Sequence, residues 1–226
     1  MNKGNYHPIT IFLRDSVKFF EEIGFSVYES PEIDTTWYNF DALNVPENHP
    51  SRDVQDTFYL ADGRVLRTHT SNGQVRGVKN QKPPIKLIIP GQCYRNEATD
   101  SRHENTLFQL EGLYIDQDVK IGHLTWTLKK YLKHTFGKDV SVRFRPHHYP
   151  FVLPGRDVDI FCQGKWLEVL GSGMVHPTVL KNMGINPQKY SGYAFGMGID
   201  RLTMLKYNIE EIRHFRSGDL RFLKQF

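Results

Sequence analysis

The sequence predicts an α+β fold, a mostly antiparallel β-sheet with helices on its flank. Three observations lead there. Six strand-like runs, "IKLIIP", "LFQLEGLYID", "VSVRFRP", "DVDIFCQ", "WLEVLGSG" and "YAFGMG", crowd the chain from residue 85 onward. Several of them adjoin with only a turn between, which favours antiparallel pairing over βαβ crossovers. Three further segments carry the three- and four-residue spacing of amphipathic helices.

In chain order, Pro8–Ile23 is the first helix. Ile9, Phe12, Leu13, Phe19, Phe20 and Ile23 share one stripe, and Gly24 supplies the stop. Residues 32–62 are rich in Pro, Asn, His and Asp and read as a loop, long enough inside a compact domain to suggest function. "RTHTS" (Arg67–Ser71) is a polar knot between strand-like segments, and Asn72-Gly73 behind it reads as looser loop. Strands at Lys86–Asn96 and Leu107–Ile115 flank a polar loop within "QCYRNEATDSRHENTLFQLEG" (Gln92–Gly112). A hairpin that only closes a sheet takes a tight Asn-Gly or Asp-Gly turn. This one gathers Arg95, Glu97, Arg102, His103, Glu104, Gln109 and Glu111, a set suited to holding a charged ligand. Gly122–Phe136 is the second helix, with Leu124, Leu128 and Leu132 aligned, and Gly198–Tyr207 begins the third.

The chain has 226 residues, no internal repeat and no linker-like stretch, so residues 1–226 read as one domain. No run approaches ~18 apolar residues, which excludes a transmembrane helix. The start "MNKGNYHPIT" lacks the apolar core of a secretory signal. Cys93 and Cys162 stand alone, which argues against a disulfide framework or a Cys-rich zinc site and for reduced thiols in a cytoplasmic protein. A net charge of +4 permits a polyanionic partner without demanding one. "GYAFGMGIDR" (Gly192–Arg201) places glycines where a ligand or another backbone approaches, but it is neither a dinucleotide fingerprint nor a P-loop.

Alternation puts Leu107, Gln109 and Glu111 on one face of their strand and Phe108 and Leu110 on the other. A carboxylate in so apolar a strand needs a cation. A structural ion pair with Arg95 and a substrate ammonium meet that need equally well. Residues alone therefore give a site for a phosphate compound and an amine.

Five segments together resemble the catalytic module of phenylalanyl-tRNA synthetase α subunits, a class II aminoacyl-tRNA synthetase family. They are "PEIDTTWYNFDALNVPENHPSRD", "RTHTS", "YRNEATD…FQLEG", "WLEVLGSGMVHP" and "YAFGMGIDRLTML", and the likeness runs from His7 to the C-terminus. The resemblance implies a class II antiparallel sheet flanked by helices. It also implies ATP-dependent activation of phenylalanine, by attack of its carboxylate on the α-phosphate, and transfer to tRNA(Phe). It assigns Arg95 and Arg201 as catalytic. Arg95, Glu97, His103, Leu107 and Arg201 would bind ATP. His69, Ser71, Gln109, Glu111, Tyr149, Phe151, Ala194 and Gly196 would bind the amino acid, and Glu168 a phosphate-bound Mg²⁺. The implied partners are phenylalanine, ATP, tRNA(Phe) and either a β subunit or a second copy, with the region around Glu29–Phe40 at the contact.

The chain departs from the family's pattern in places. Leu107 stands where the family stacks a Phe on adenine. Tyr149 stands in the ring pocket for a Phe, with a hydroxyl free to meet a para substituent. Leu153 replaces a Glu tied to a metal at the subunit contact. Asn72-Gly73 replaces a Pro and an apolar residue. The resemblance also leads one to expect an N-terminal helical arm, and the sequence shows none, nor an anticodon-binding or editing domain. These departures keep a second function class open, a non-catalytic or non-tRNA paralogue that binds phenylalanine or ATP.

Overall fold

A computed structural model describes residues 4–100 and 104–226. Its strands are β1 (Ser26–Val27), β2 (Ile33–Asp34), β3 (Val65–Leu66), β4 (Ile85–Tyr94), β5 (Thr106–Asp116), β6 (Val142–Tyr149), β7 (Val152–Cys162), β8 (Lys165–Val175) and β9 (Ser191–Gly198). Its α-helices are α1 (Pro8–Glu22), α2 (Thr36–Asn39), α3 (Asn72–Val78), α4 (Ile121–Phe136), α5 (Pro177–Asn182), α6 (Ile199–Tyr207) and α7 (Leu220–Leu223).

Among the described residues, seven strands form one sheet in the order β1-β4-β5-β9-β8-β7-β6. Every pairing is antiparallel except the short parallel contact of β1 with β4. The α+β reading and the three predicted helices hold, with boundaries moved by a residue or two. α1 opens as its sequence dictates: Pro8 occupies the first turn, where no amide hydrogen is missed, and the His7 imidazole accepts from the Ile9 amide.

The sheet separates two apolar layers. On one side α1, α4 and α6 bury Phe12, Phe20, Leu128, Tyr131 and Leu202 against Leu110, Val158 and Phe195. On the other side a smaller cluster joins Phe40, Leu43, Val75 and Val78 to Ile89, Leu113 and Ala194. The alternation in β5 is realised: Leu110 belongs to the helical layer, Phe108 packs against it, and Leu113 belongs to the opposite one.

Two expectations need correction. Residues 32–62 are not a plain loop. They contain β2, which pairs with β3, the single turn α2, and 3₁₀ turns at Asp41–Leu43 and Pro50–Arg52. Phe40, Ala42, Leu43 and Val45 anchor the segment in the core. Asn72-Gly73 is not a loosened loop either, because it opens helix α3 and is fully buried there. The Asn72 amide donates to the Asp34 carboxylate at 2.8 Å and to the Pro31 carbonyl at 3.1 Å. Arg76 completes the cluster with a two-point contact to Asp34, at 2.6 and 2.9 Å. Gly73 and Gly77 let α3 lie tight on β4. A Cβ at Gly73 would come within 2.6 Å of Ile89, and one at Gly77 within 2.7 Å of Leu87.

Pairing registers align one row across the sheet on the face away from the long helices. Glu111 pairs with Gly196, Gly196 with Gly171, Gly171 with Asp157, and Asp157 with Arg145. Two glycines thus leave a bare strip between two buried acids.

Candidate active site

A cavity of about 770 Å³ opens above that strip. Arg95, Glu97, Leu107, Arg201, His69, Ser71, Gln109, Glu111, Tyr149, Phe151, Ala194, Gly196 and Glu168 all border it. Residues drawn from positions 69 to 201 therefore share one concave surface, as ligand sites require. His103 lies outside the described residues.

β5 delivers Gln109 and Glu111 from its inner face. Glu111 is 4% exposed, and among the described residues no cation forms an ion pair with it. One carboxylate oxygen accepts from the Ser71 hydroxyl, the other from the Gln74 amide at 2.8 Å. Of the two alternatives for Glu111, the ion pair with Arg95 does not form. The Arg95 Nε donates instead to the Thr68 carbonyl at 3.3 Å, and its guanidinium stands 4.0 Å from the Glu97 carboxylate. Burial among neutral donors pushes the Glu111 carboxyl up to about 7.

Gln74 escaped the sequence reading because it sat in what looked like loop. The helical spacing of Ser71 and Gln74 was the available signal, obscured by the two glycines of α3. The Gln109 side-chain oxygen accepts from the Thr70 amide at 3.3 Å and from the Cys93 thiol at 3.4 Å. A Cβ at Gly196 would meet Gln109 and Glu111 at 3.1 Å, so glycine is what keeps the floor open there.

Desolvation and the nearby Arg95 charge push the His69 imidazole down to about 3, so it is neutral. Its Nδ1 is buried without a hydrogen-bond partner among the described residues. Two residues before it, Arg67 is 2% exposed, and its guanidinium donates to the carbonyls of Gln92 and Ser30 and to the Ser30 hydroxyl. Its positive charge bears on both His69 and Glu111.

At the nucleotide end, Leu107 faces the cavity while Phe108 packs into the helical layer, so the missing aromatic is not replaced by its neighbour. Arg201 is exposed at the first turn of α6. Next to it Asp200 is buried and accepts the Phe108 amide at 2.5 Å. That bond ties α6 to the start of β5. Asp200 was missed because it lies in a helical turn where an acid is unremarkable.

Tyr149 and Phe151 form the aromatic wall, stacked with centroids 5.6 Å apart. The Tyr149 hydroxyl is not free, contrary to expectation. It donates to the buried Asp157 carboxylate at 2.7 Å, because that acid lies on the adjoining strand within its reach. Leu153 is 61% exposed. Glu168 is exposed and holds Arg145 at 3.2 Å. Among the described residues no three His, Cys, Asp or Glu side chains gather as a metal site. Magnesium carried on a polyphosphate needs fewer, one or two carboxylates. Glu168 and Glu104 on the same cavity are of the right chemistry for that.

Comparison with known proteins places the chain in a family. The family model for the class II core domain (F) of tRNA synthetases matches residues 1–226. The phenylalanine–tRNA ligase alpha subunit of Alkaliphilus metalliredigens is 49% identical over 235 residues, covering 99% of this chain and 69% of that one. Its counterpart from Actinobacillus pleuropneumoniae is 50% identical over 224 residues, covering 99% and 68%. The crystal structure of pyrrolysyl-tRNA synthetase from Desulfitobacterium hafniense superposes with a TM-score of 0.73 over 93% of this chain and 74% of that one, at 18% identity, which speaks to the fold alone. With a class II core over its whole length and about half its residues shared with those subunits, the chain belongs to the phenylalanine–tRNA ligase alpha subunit family.

Proposed function

We propose that the cavity activates phenylalanine with ATP and that the chain takes part in charging tRNA(Phe). The observation that carries this is Glu111, a buried acid at a cavity wall, held by two neutral donors and, among the described residues, without a cation in ion-pair contact. An α-ammonium supplies that cation. The neutral His69 and the Gln109 amide stand beside it for the remaining polar atoms of the amino acid. Tyr149, Phe151 and Ala194 receive the ring, edge to face.

The chemistry asks the protein for position and charge rather than for a nucleophile. Arg95 stands between the two ligands and bridges the carboxylate and the α-phosphate with its planar fork. Glu97 accepts from the adenine amino group. Arg201 and His103 hold the terminal phosphate, and Leu107 offers an aliphatic face to the base. Glu168 would be the protein ligand for a phosphate-bound Mg²⁺, which would offset phosphate charge.

The relatives' designation as alpha subunits points to a second kind of subunit. Val27, Ile33 and Trp37 stand exposed in or beside the stretch assigned to subunit contact, which supports a β subunit docking there.

Phenylalanine-dependent exchange of pyrophosphate into ATP tests the reading. Exchange driven by phenylalanine is expected, and binding of the amino acid without exchange would overturn it.

A further inference from the structure

The second acid of the bare strip has no place in the mechanism so far. Asp157 is 2% exposed, on β7. Its carboxylate takes the Tyr149 phenol at 2.7 Å, the His147 imidazole at 3.1 Å and the Arg145 guanidinium at 3.3 Å. His147 and Arg145 are both partly exposed, and Tyr149 and His147 both border the cavity.

Three other features fix the same ring. His147 lies 4.5 Å from it on one side and Phe151 5.6 Å on the other, centroid to centroid. Gly171 lies under it. A Cβ there would come within 2.8 Å of the phenol oxygen and 3.0 Å of the carbon that bears it. The hydroxyl end of the ring therefore packs close over Gly171 of β8, and the hydroxyl itself is tied to Asp157.

We propose that Asp157 is a positioning residue for amino-acid recognition, acting through the Tyr149 hydroxyl. The inference rests on the proposed phenylalanine site. An edge-to-face contact rewards one ring orientation. A half-buried ring on a cavity wall keeps some rotational freedom that binding must remove. The bond to Asp157 removes that freedom beforehand. It also commits the phenol's one proton, so the wall offers the substrate ring a π-edge and no hydrogen-bond donor.

The test compares Tyr149→Phe, Asp157→Asn, Asp157→Ala and the double variant Tyr149→Phe/Asp157→Ala in pyrophosphate exchange. Tyr149→Phe and Asp157→Ala are each expected to raise KM for phenylalanine about tenfold, the effect of losing one charge-assisted hydrogen bond. KM for ATP stays within about twofold in both, since the nucleotide end is untouched. Asp157→Asn keeps an acceptor oxygen and retains most of the affinity. The double variant is no worse than Asp157→Ala, because both changes break one bond. An unchanged phenylalanine KM in Tyr149→Phe, an equal rise in both KM values, or an additive double variant would each overturn the proposal.

A second measurement separates this idea from the reading it rests on. The ¹³Cζ resonance of Tyr149, assigned by its loss in Tyr149→Phe, reports the phenol's hydrogen bond without any turnover. It should move in Asp157→Ala even if the wild-type chain exchanges no pyrophosphate. A resonance that stays put removes the tether, whatever the activity.

Discussion

Glu111 on β5 and Asp159 on β7 are both buried acids on strands of one sheet, and their surroundings push them in opposite directions. Asp159 receives Arg143 at 2.6 and 2.9 Å and Arg145 at 2.7 and 3.0 Å. Those guanidinium groups hold its carboxyl below the ordinary range, Arg145 first. Glu111 receives a hydroxyl and an amide, and burial pushes it up to about 7. The first acid is complete in the folded chain. The second is incomplete, and it borders the cavity. Burial of a carboxylate is thus no sign of function by itself, and the missing counter-charge is the informative part.

The largest test of this contrast is Arg95→Ala. If Arg95 served Glu111 as Arg143 and Arg145 serve Asp159, the variant would be destabilised. The geometry instead predicts a melting curve close to wild type, with exchange reduced by about 10²–10³, as for loss of one transition-state electrostatic contact. A destabilised variant with substantial exchange would reverse the assignment.

Glu111→Gln comes next. It removes the charge that the ammonium requires, so KM for phenylalanine should rise by about a hundredfold, the scale of a charged hydrogen bond lost in a buried site. KM for ATP, measured in the same assay, should change far less.

Acidity sharpens the contrast further. A carboxyl at about 7 must lose its proton to pair with an ammonium, so affinity for phenylalanine should fall as pH drops below that value. The slope approaches about tenfold per pH unit, and Glu111→Gln should flatten it. Stability runs the other way. The folded chain keeps a proton that the unfolded chain releases above 4.5, so the Glu111 contribution is present at low pH and lost as pH rises toward about 7. The difference between wild type and Glu111→Gln should span up to ~3 kcal/mol across that window, read by urea denaturation. Asp200, raised to about 6 mainly by burial, acts in the same direction and cancels in the comparison.

The smallest effect belongs to Asp159→Asn. Both its arginines stay partly in water, so the loss should be ~1–2 kcal/mol of stability. KM for phenylalanine should stay within about threefold of wild type.

Much of this was legible in the sequence, and the failures have physical causes. The stripes of α1 and α4 and the alternation of β5 are direct consequences of which side chains meet water, so they read correctly. Helix α3 did not. "NGQVRGV" combines a turn-like Asn-Gly with a second glycine, and its helix is held by packing on β4 and by the Asp34 cluster rather than by local preference. Apart from His103, the residues the resemblance implied border one cavity, but Gln74 and Asp200 on the same lining were missed, and the bonds between these side chains were not read. Whether Glu111 meets Arg95 or Ser71, and whether a phenol points to substrate or to Asp157, depends on strand register and on an unseen helix, neither of which is written in any one segment.

Arg67 carries a last consequence. Its guanidinium is clasped by carbonyl and hydroxyl oxygens, and no carboxylate among its hydrogen-bond partners cancels its charge. Arg95 and Arg201 reach solvent, where dissolved ions crowd around them and blunt their pull. Arg67 is sealed from those ions. The attraction of the cavity for an anion therefore has two parts. One fades as salt is added and reports the exposed arginines. The other persists in concentrated brine and reports the arginine under the floor.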